Sequence, residues 1–327
     1  MPLVQWEMIS SVCSPRFIHP DEIHERCPGA GVKGPGAIGT VQLGCGCVGR
    51  CSYCITRLAR GRLVSTSSEN ILDAVQSLVK SGAYEIQLTG QDVAAWGLDR
   101  GESLPQLLRS ITDLPGQFAV RLGMMHPGSA LRILDPLIEA YESDKIFKFI
   151  HLPVQSGSDA VLRRMRRGYC AADVIDMVGA LRARYPDMMI SSDFITGFSG
   201  ETDDDFQQTV DLQRRTAFVK VNITRYSRRP GTPAASLSDL PERIRTERSG
   251  ALLIETNRAY DAYNECWIGR ETPIIATEKK IPGTTICRNP CYLNVIIKKD
   301  LPFGFSGKAV ITENRRHYVI GELLPHV

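Results

Sequence analysis

Nowhere in the 327 residues does an uninterrupted apolar run approach the roughly 20 that a membrane-spanning helix needs, so no membrane span is expected. The opening, MPLVQWEMISSVCSPRF, lacks the basic patch, apolar stretch and small-residue cleavage site of a secretory signal, and the expectation is a cytoplasmic protein. In that reducing compartment, clustered thiols are more often metal ligands or catalysts than disulfides. A strong net charge is missing as well: 39 Lys and Arg stand against 36 Asp and Glu, leaving only +3. Residues 1–36 lack any sustained period, are rich in Pro and Gly, and read as a tail or linker.

What is present is an ordinary globular composition, 43% hydrophobic and 23% charged, with length for one large domain and one small one. After the tail, short apolar runs alternate with helix-period segments. AIGTVQL (37–43) reads as a strand, and SENILDAVQSLVKSG (68–82) as a helix with Ile71, Val75, Leu78 and Val79 on one face and Ser68 as its N-cap. YEIQLTG, FAVRLGMM, IFKFIHLPV, MMISSDFITG and FVKVNITRY continue as strands with helical stretches between them, and a long last helix runs from Pro241 to Cys266. At about 30 residues per strand–helix unit, residues 38–228 hold six units, whereas a complete eight-unit barrel takes about 250 residues. The expected fold is therefore α/β, a partial (β/α)6 barrel over residues 37–267, with an open doubly wound sheet as the alternative. Residues 268–327 change character to short strand-like runs separated by turns, and read as a small antiparallel β-barrel of the kind that often binds oligonucleotides. Nine Lys and Arg against five Asp and Glu put the basic excess in that segment, where a polyanion site and a solvated lysine-rich surface are both open readings.

Four of the ten cysteines fall in CGCVGRCSYC, residues 45–54. Cys47, Cys51 and Cys54 form C-x3-C-x2-C directly after the first strand, on the face where parallel barrels place their chemistry. A structural zinc site wants four closed ligands. Three thiolates suit a cubane iron–sulfur cluster with one iron left open. Zinc with Cys45 as fourth ligand, or an incidental set of thiols, are the alternatives.

C-x3-C-x2-C with an aromatic just before its last cysteine resembles the radical S-adenosylmethionine superfamily. CSYCITRLARG (51–61), IQLTGQDVAAWG (86–97), VRLGMMHP (120–127), HLPVQSGSDAVLRRMRRGYC (151–170), SDFITGFSGETDDDF (192–206) and YSRRPGTPA (226–234) run in order and resemble the tRNA methylthiotransferases. Within these, MRRGYC and LTGQD are most similar to the archaeal and eukaryotic branch that modifies threonylcarbamoyladenosine next to the anticodon. Residues 268–327 resemble that family's tRNA-gripping TRAM domain.

The resemblance implies a 4Fe-4S cluster on Cys47, Cys51 and Cys54, with S-adenosylmethionine on its open iron and Tyr53 against the adenine. It implies cofactor contacts from Gly90, Gln91 and Asp92 after the second strand, from Gln155 and Ser156 after the fourth, and from Arg166 to the methionine carboxylate. Asp193 either joins this set or caps the next turn. His126 and His151 either meet substrate or are hydrogen-bonded structural histidines. The implied activity is radical methylthiolation of N6-threonylcarbamoyladenosine in tRNA, with an electron donor and a sulfur source as partners. Relatives carry an N-terminal domain with further cysteines for a second cluster, which Cys13 and Cys27 do not rebuild, so a separately encoded N-terminal cluster domain is an expected partner. The alternatives are a radical RNA-modifying enzyme without sulfur insertion and a non-catalytic, metal-containing tRNA-binding remnant.

Overall fold

A computed structural model describes residues 31–32 and 37–325. The expected tail, with Cys13 and Cys27, lies outside the described residues apart from Gly31 and Val32. Those two form β1 (Gly31–Val32), antiparallel to β2 (Ile38–Gln42). A short hairpin of β3 (Gly44–Cys45) with β4 (Val64–Ser65) follows. The chain continues through β5 (Glu85–Thr89), β6 (Ala119–Leu122), β7 (Phe149–His151), β8 (Met189–Thr196) and β9 (Val221–Arg225). β2, β5 and β6 pair in parallel, as do β7, β8 and β9, and parallel bridges Val120–Ile146 and Met124–His151 join the two sets. Six parallel strands thus follow one another in chain order round an incomplete barrel. The doubly wound alternative, which reverses strand order at a switch point, is not the one adopted.

The helices are α1 (Thr56–Arg60), α2 (Ser68–Lys80), α3 (Leu104–Asp113), α4 (Pro127–Leu131), α5 (Leu134–Ala140), α6 (Asp159–Met165), α7 (Ala171–Arg184), α8 (Asp203–Thr216) and α9 (Glu242–Glu265). On α2, Ile71, Val75 and Leu78 of the expected stripe are buried and Val79 is half-buried. Its cap is Ser67 instead of Ser68, the Ser67 hydroxyl accepting from the Asn70 amide at 3.3 Å, and a cap of this type stabilises by about 1 kcal/mol. α8 starts with a capping box: Thr202 accepts from the Asp205 amide while Asp205 accepts from the Thr202 amide. The acidic run Asp203, Asp204 and Asp205 occupies this first turn, at the positive end of the helix dipole.

After α9 comes a closed barrel of β10 (Glu271–Glu278), β11 (Thr285–Arg288), β12 (Asn294–Ile297), β13 (Ser306–Asn314) and β14 (Val319–Leu323), in the order 10-11-12-14-13. It departs from the expected all-antiparallel barrel in one pair, since β12 and β14 run parallel. Five strands closed in a ring cannot all alternate in direction, so one neighbouring pair must be parallel.

This small barrel docks on the amino ends of the parallel strands. Tyr292 packs its ring 5.0 Å from those of Phe147 and Phe149, and its hydroxyl donates to Glu85 Oε1 at 2.7 Å. Phe147, Phe149, Met189 and Val219 share one apolar core with Cys287, Leu293, Val295 and Ile311 of the barrel. The opposite, carboxyl end of the strands is left for chemistry.

Candidate active site

The cysteine loop begins at the carboxyl end of β2 and its base is the β3–β4 hairpin. Gly46 is required there: at φ +75 a Cβ would lie 1.9 Å from the Arg62 carbonyl oxygen. Arg57, on α1, donates to the Gly49 carbonyl at 2.5 Å and braces the loop from within. Ser52 ties it to the rest of the molecule, its hydroxyl donating to Arg164 O at 2.7 Å, its amide to Met165 O at 3.0 Å and its carbonyl accepting from Ala234 N at 2.8 Å. Cys47, Cys51 and Cys54 are half-buried free thiols.

Gly49 shows what the loop leaves open. A Cβ at this position would stand 3.3 Å from Cys47 Sγ and 3.8 Å from Cys51 Sγ, filling the space between the two sulfurs. The Gly49 amide donates to Cys47 Sγ at 3.3 Å. Burial pushes the Cys47 thiol up, the Gly49 N–H pulls it back, and Asp92 and the other two thiols raise it further. Among the described residues no three His, Cys, Asp or Glu side chains converge as one metal ion would require. A cubane gives each thiolate its own iron and so takes donors that are spread apart. Cys45, 3% exposed, sits in β3 with its sulfur accepting from Gln42 Nε2 at 3.1 Å. The donor set and the cradle at Gly49 fit a cluster.

A small open cleft lies beside the loop, lined in part by Gly44, Gly46, Gly90, Gln91, Asp92 and Trp96. Gln91 Oε1 is buried with no hydrogen-bond partner, an acceptor left for a ligand donor. Asp92 uses both carboxylate oxygens within the protein, accepting from His126 N at 3.0 Å and Ser129 Oγ at 2.6 Å, and thereby ties the end of β5 to α4. Gln155 is held at φ 78, in the left-handed region, while its amide and carbonyl keep ladder bonds to Asp193 O and Ile195 N. Such strain persists only where the surroundings enforce it.

Ser156, 0% exposed, shares its hydroxyl with Thr209 Oγ1 at 3.2 Å, so it ties β7 to α8. Asp193 caps no turn; it lies within β8, where Oδ1 accepts from His151 Nε2 at 2.9 Å and Asn222 Nδ2 at 2.7 Å. That polar link across β7, β8 and β9 was hidden in the sequence, because its members come from three separate motifs. Arg166 is exposed, in the left-handed cap that ends α6 (φ 58, ψ 48). The turn it makes sends the next residue inward: Arg167, 6% exposed, donates to Cys51 Sγ at 3.2 Å and to Tyr53 Oη at 3.4 Å. Tyr53 turns its ring edge-on to Phe198 at 6.2 Å. Periodicity cannot separate Arg167 from Arg166, since the helix has already stopped.

His126 caps α4, its Nδ1 accepting from the Gly128 amide at 3.1 Å, which places the ring proton on Nε2. Burial, with the positive charges of Arg167 and Arg132, pulls its pKa down to about 3. The folded pKa lies below the ordinary value of about 6.5, so its contribution to stability is present above about pH 6.5 and lost as pH falls towards 3. The imidazole nitrogen shifts are expected to stay those of the neutral ring from pH 8 to about pH 5 in an NMR titration. A midpoint near 6.5 would contradict this.

With this geometry in place, the family model described as Radical SAM superfamily matches residues 41–212. The chain is 41% identical over 291 residues to the Archaeoglobus fulgidus protein named "probable threonylcarbamoyladenosine tRNA methylthiotransferase", covering 88% of this chain and 68% of that one. It is 36% identical over 289 residues to the Danio rerio threonylcarbamoyladenosine tRNA methylthiotransferase, covering 87% of this chain and 52% of the relative. The chain thus spans about half to two thirds of the length of these relatives. In fold alone it is similar to a radical S-adenosylmethionine methyltransferase from Kitasatospora setae, solved with cobalamin and a 4Fe-4S cluster bound: TM-score 0.50, 20% identity, 61% of this chain and 39% of that one. The cysteine loop, the parallel partial barrel and these likenesses agree, and the chain belongs to the radical SAM superfamily and, within it, to the threonylcarbamoyladenosine tRNA methylthiotransferase family.

Proposed function

We propose that this chain modifies threonylcarbamoyladenosine in tRNA by radical methylthiolation, with a 4Fe-4S cluster on Cys47, Cys51 and Cys54 and S-adenosylmethionine beside it. The observation that carries the reading is the three-thiol loop at the carboxyl end of a parallel partial barrel, with the space between its sulfurs kept open by Gly49. When bound, the cluster and S-adenosylmethionine supply the single electron and the carbon radical for hydrogen abstraction from the adenine ring.

The chain's own residues bind and orient. Gln91 Oε1 accepts from the methionine ammonium, which gives that buried oxygen the partner it lacks. Gly90 and Gln91 line the cleft that receives the cofactor. Asp92 holds the end of β5 against α4 through His126 and Ser129, so the cleft wall keeps its shape. Gln155, strained and buried, presents the end of the β7 layer. Arg166, exposed at the rim, is free to reach an anionic group, the cofactor carboxylate or an RNA phosphate. Residues 268–327 serve as the tRNA-gripping unit, and their exposed Lys298, Lys299, Lys308, Arg315 and Arg316 give it a basic surface. Sulfur comes from a second cluster domain or another donor, and the electron from a reductant protein.

The test loads the protein anaerobically with iron and sulfide, then adds dithionite, S-adenosylmethionine and tRNA carrying threonylcarbamoyladenosine. Release of deoxyadenosine together with a methylthio product in the digested nucleosides is the expected result. Deoxyadenosine without any new tRNA nucleoside would reduce the reading to radical generation alone. Protein that remains iron-free would end it.

A further inference from the structure

We propose that Arg167 sets the reduction potential of the cluster, by donating a hydrogen bond to Cys51 Sγ and placing a buried positive charge beside it. The inference rests on the cluster reading above and goes beyond it.

The guanidinium is buried, and every partner it has is neutral by itself. Nε donates to Tyr169 Oη at 2.9 Å, Nη1 to Cys51 Sγ at 3.2 Å and Tyr53 Oη at 3.4 Å, and Nη2 to Pro153 O at 2.5 Å. Among the described residues no carboxylate forms an ion pair with it. Asp92 is the carboxylate that acts on it, from a distance and not in contact, its oxygens being held by His126 and Ser129. A buried cation without a counter-charge is costly, and proteins rarely retain one that nothing balances. Thiolates ligating iron supply that counter-charge, and Cys51 is the one in contact.

The arrangement is also rigid. The Tyr169 hydroxyl donates to Val154 O at 2.7 Å, so its oxygen is left as an acceptor for Arg167 Nε. The fork is thereby held between the residues that follow β7 and the cysteine loop. Reduction adds one electron to the cluster, taken from a strong one-electron donor such as dithionite, and makes it more negative by one charge. A fixed cation and an N–H donor at a ligand sulfur favour that state and raise the potential. Arg167 touches a ligand and not the reacting atoms, so its role is that of a positioning and charge-setting residue.

The experiment uses the full chain, loaded anaerobically, with iron counted per protein and the midpoint read by a redox titration followed by electron paramagnetic resonance. Arg167→Gln removes the charge and is expected to move the midpoint to a more negative potential. Arg167→Lys keeps the charge without the fork and is expected between Arg167→Gln and the unsubstituted protein. Tyr169→Phe keeps Arg167 but removes the acceptor that orients it, together with the bond to Val154 O, and a smaller shift in the same direction is expected. Iron-replete Arg167→Gln and Tyr169→Phe variants with unshifted midpoints would overturn the proposal. Should Arg167→Gln fail to fold or to take up iron, unshifted midpoints in Arg167→Lys and Tyr169→Phe overturn it equally. An unsubstituted chain that takes up no iron ends the cluster reading itself, which separates that failure from this one.

Discussion

Replacing Cys47, Cys51 and Cys54 together by alanine is expected to abolish iron uptake and bring deoxyadenosine release below detection, with the fold kept. The fold survives because the loop does not depend on its thiols. Ser52 is anchored to Arg164, Met165 and Ala234, Arg57 holds the Gly49 carbonyl, and the hairpin of β3 and β4 closes the base. None of the three sulfurs belongs to the buried apolar core. Alanine at Cys51 also takes away the sulfur that Arg167 contacts, so the urea midpoint of the iron-free protein is expected to fall modestly while the transition stays cooperative. That separation gives the experiment its force, since lost activity cannot then be ascribed to unfolding. A triple variant that still releases as much deoxyadenosine as the unsubstituted chain would remove the cluster from these residues.

Ending the chain after Cys266 is expected to destabilise the partial barrel itself, by more than the roughly 3–5 kcal/mol of deleting one buried aromatic side chain. The small barrel is the floor of the larger one. Its loss uncovers Phe147, Phe149, Met189 and Val219, which share their core with it. It also takes away the Tyr292 hydroxyl from Glu85, whose side chain is fully buried, and the nearby Arg288 guanidinium at 3.7 Å. Gln87 Nε2 still donates to that carboxylate at 2.6 Å, so the loss comes mainly from the uncovered apolar floor. A lowered denaturation midpoint with uptake of a hydrophobic dye should report the exposed floor. A truncated chain that unfolds at the original midpoint would show that the two barrels are energetically independent.

The alternation of period-two and period-3.6 segments placed every parallel strand within a few residues, because each strand and each helix face answers to its own local burial. The loop of three cysteines was equally legible, since its spacing is local. The small barrel was legible as short runs with turns, while its one parallel pair followed from closure of five strands, a property of the ring and not of any strand. Among the candidate side chains the outcome divides by distance along the chain. Gln91 lies beside the loop as its strand-end position implied, with an unpartnered acceptor. Ser156, equally suited in type and position, is claimed by Thr209 on α8. Asp193 is claimed by His151 and Asn222.

What the sequence by itself determined was therefore the family, the order of strands and helices, and the one loop whose residues are consecutive. Tertiary structure alone decided which of two adjacent arginines contacts a cysteine of the loop: a left-handed residue at 166 turns Arg167 onto Cys51, 116 positions away in the chain. It alone decided that Tyr292 meets Glu85 across 207 positions and closes the barrel floor. The physical reason is the same in both cases. Period and spacing record how a residue meets its neighbours along one element, whereas the partner of a buried charge or ring is chosen where separate elements pack.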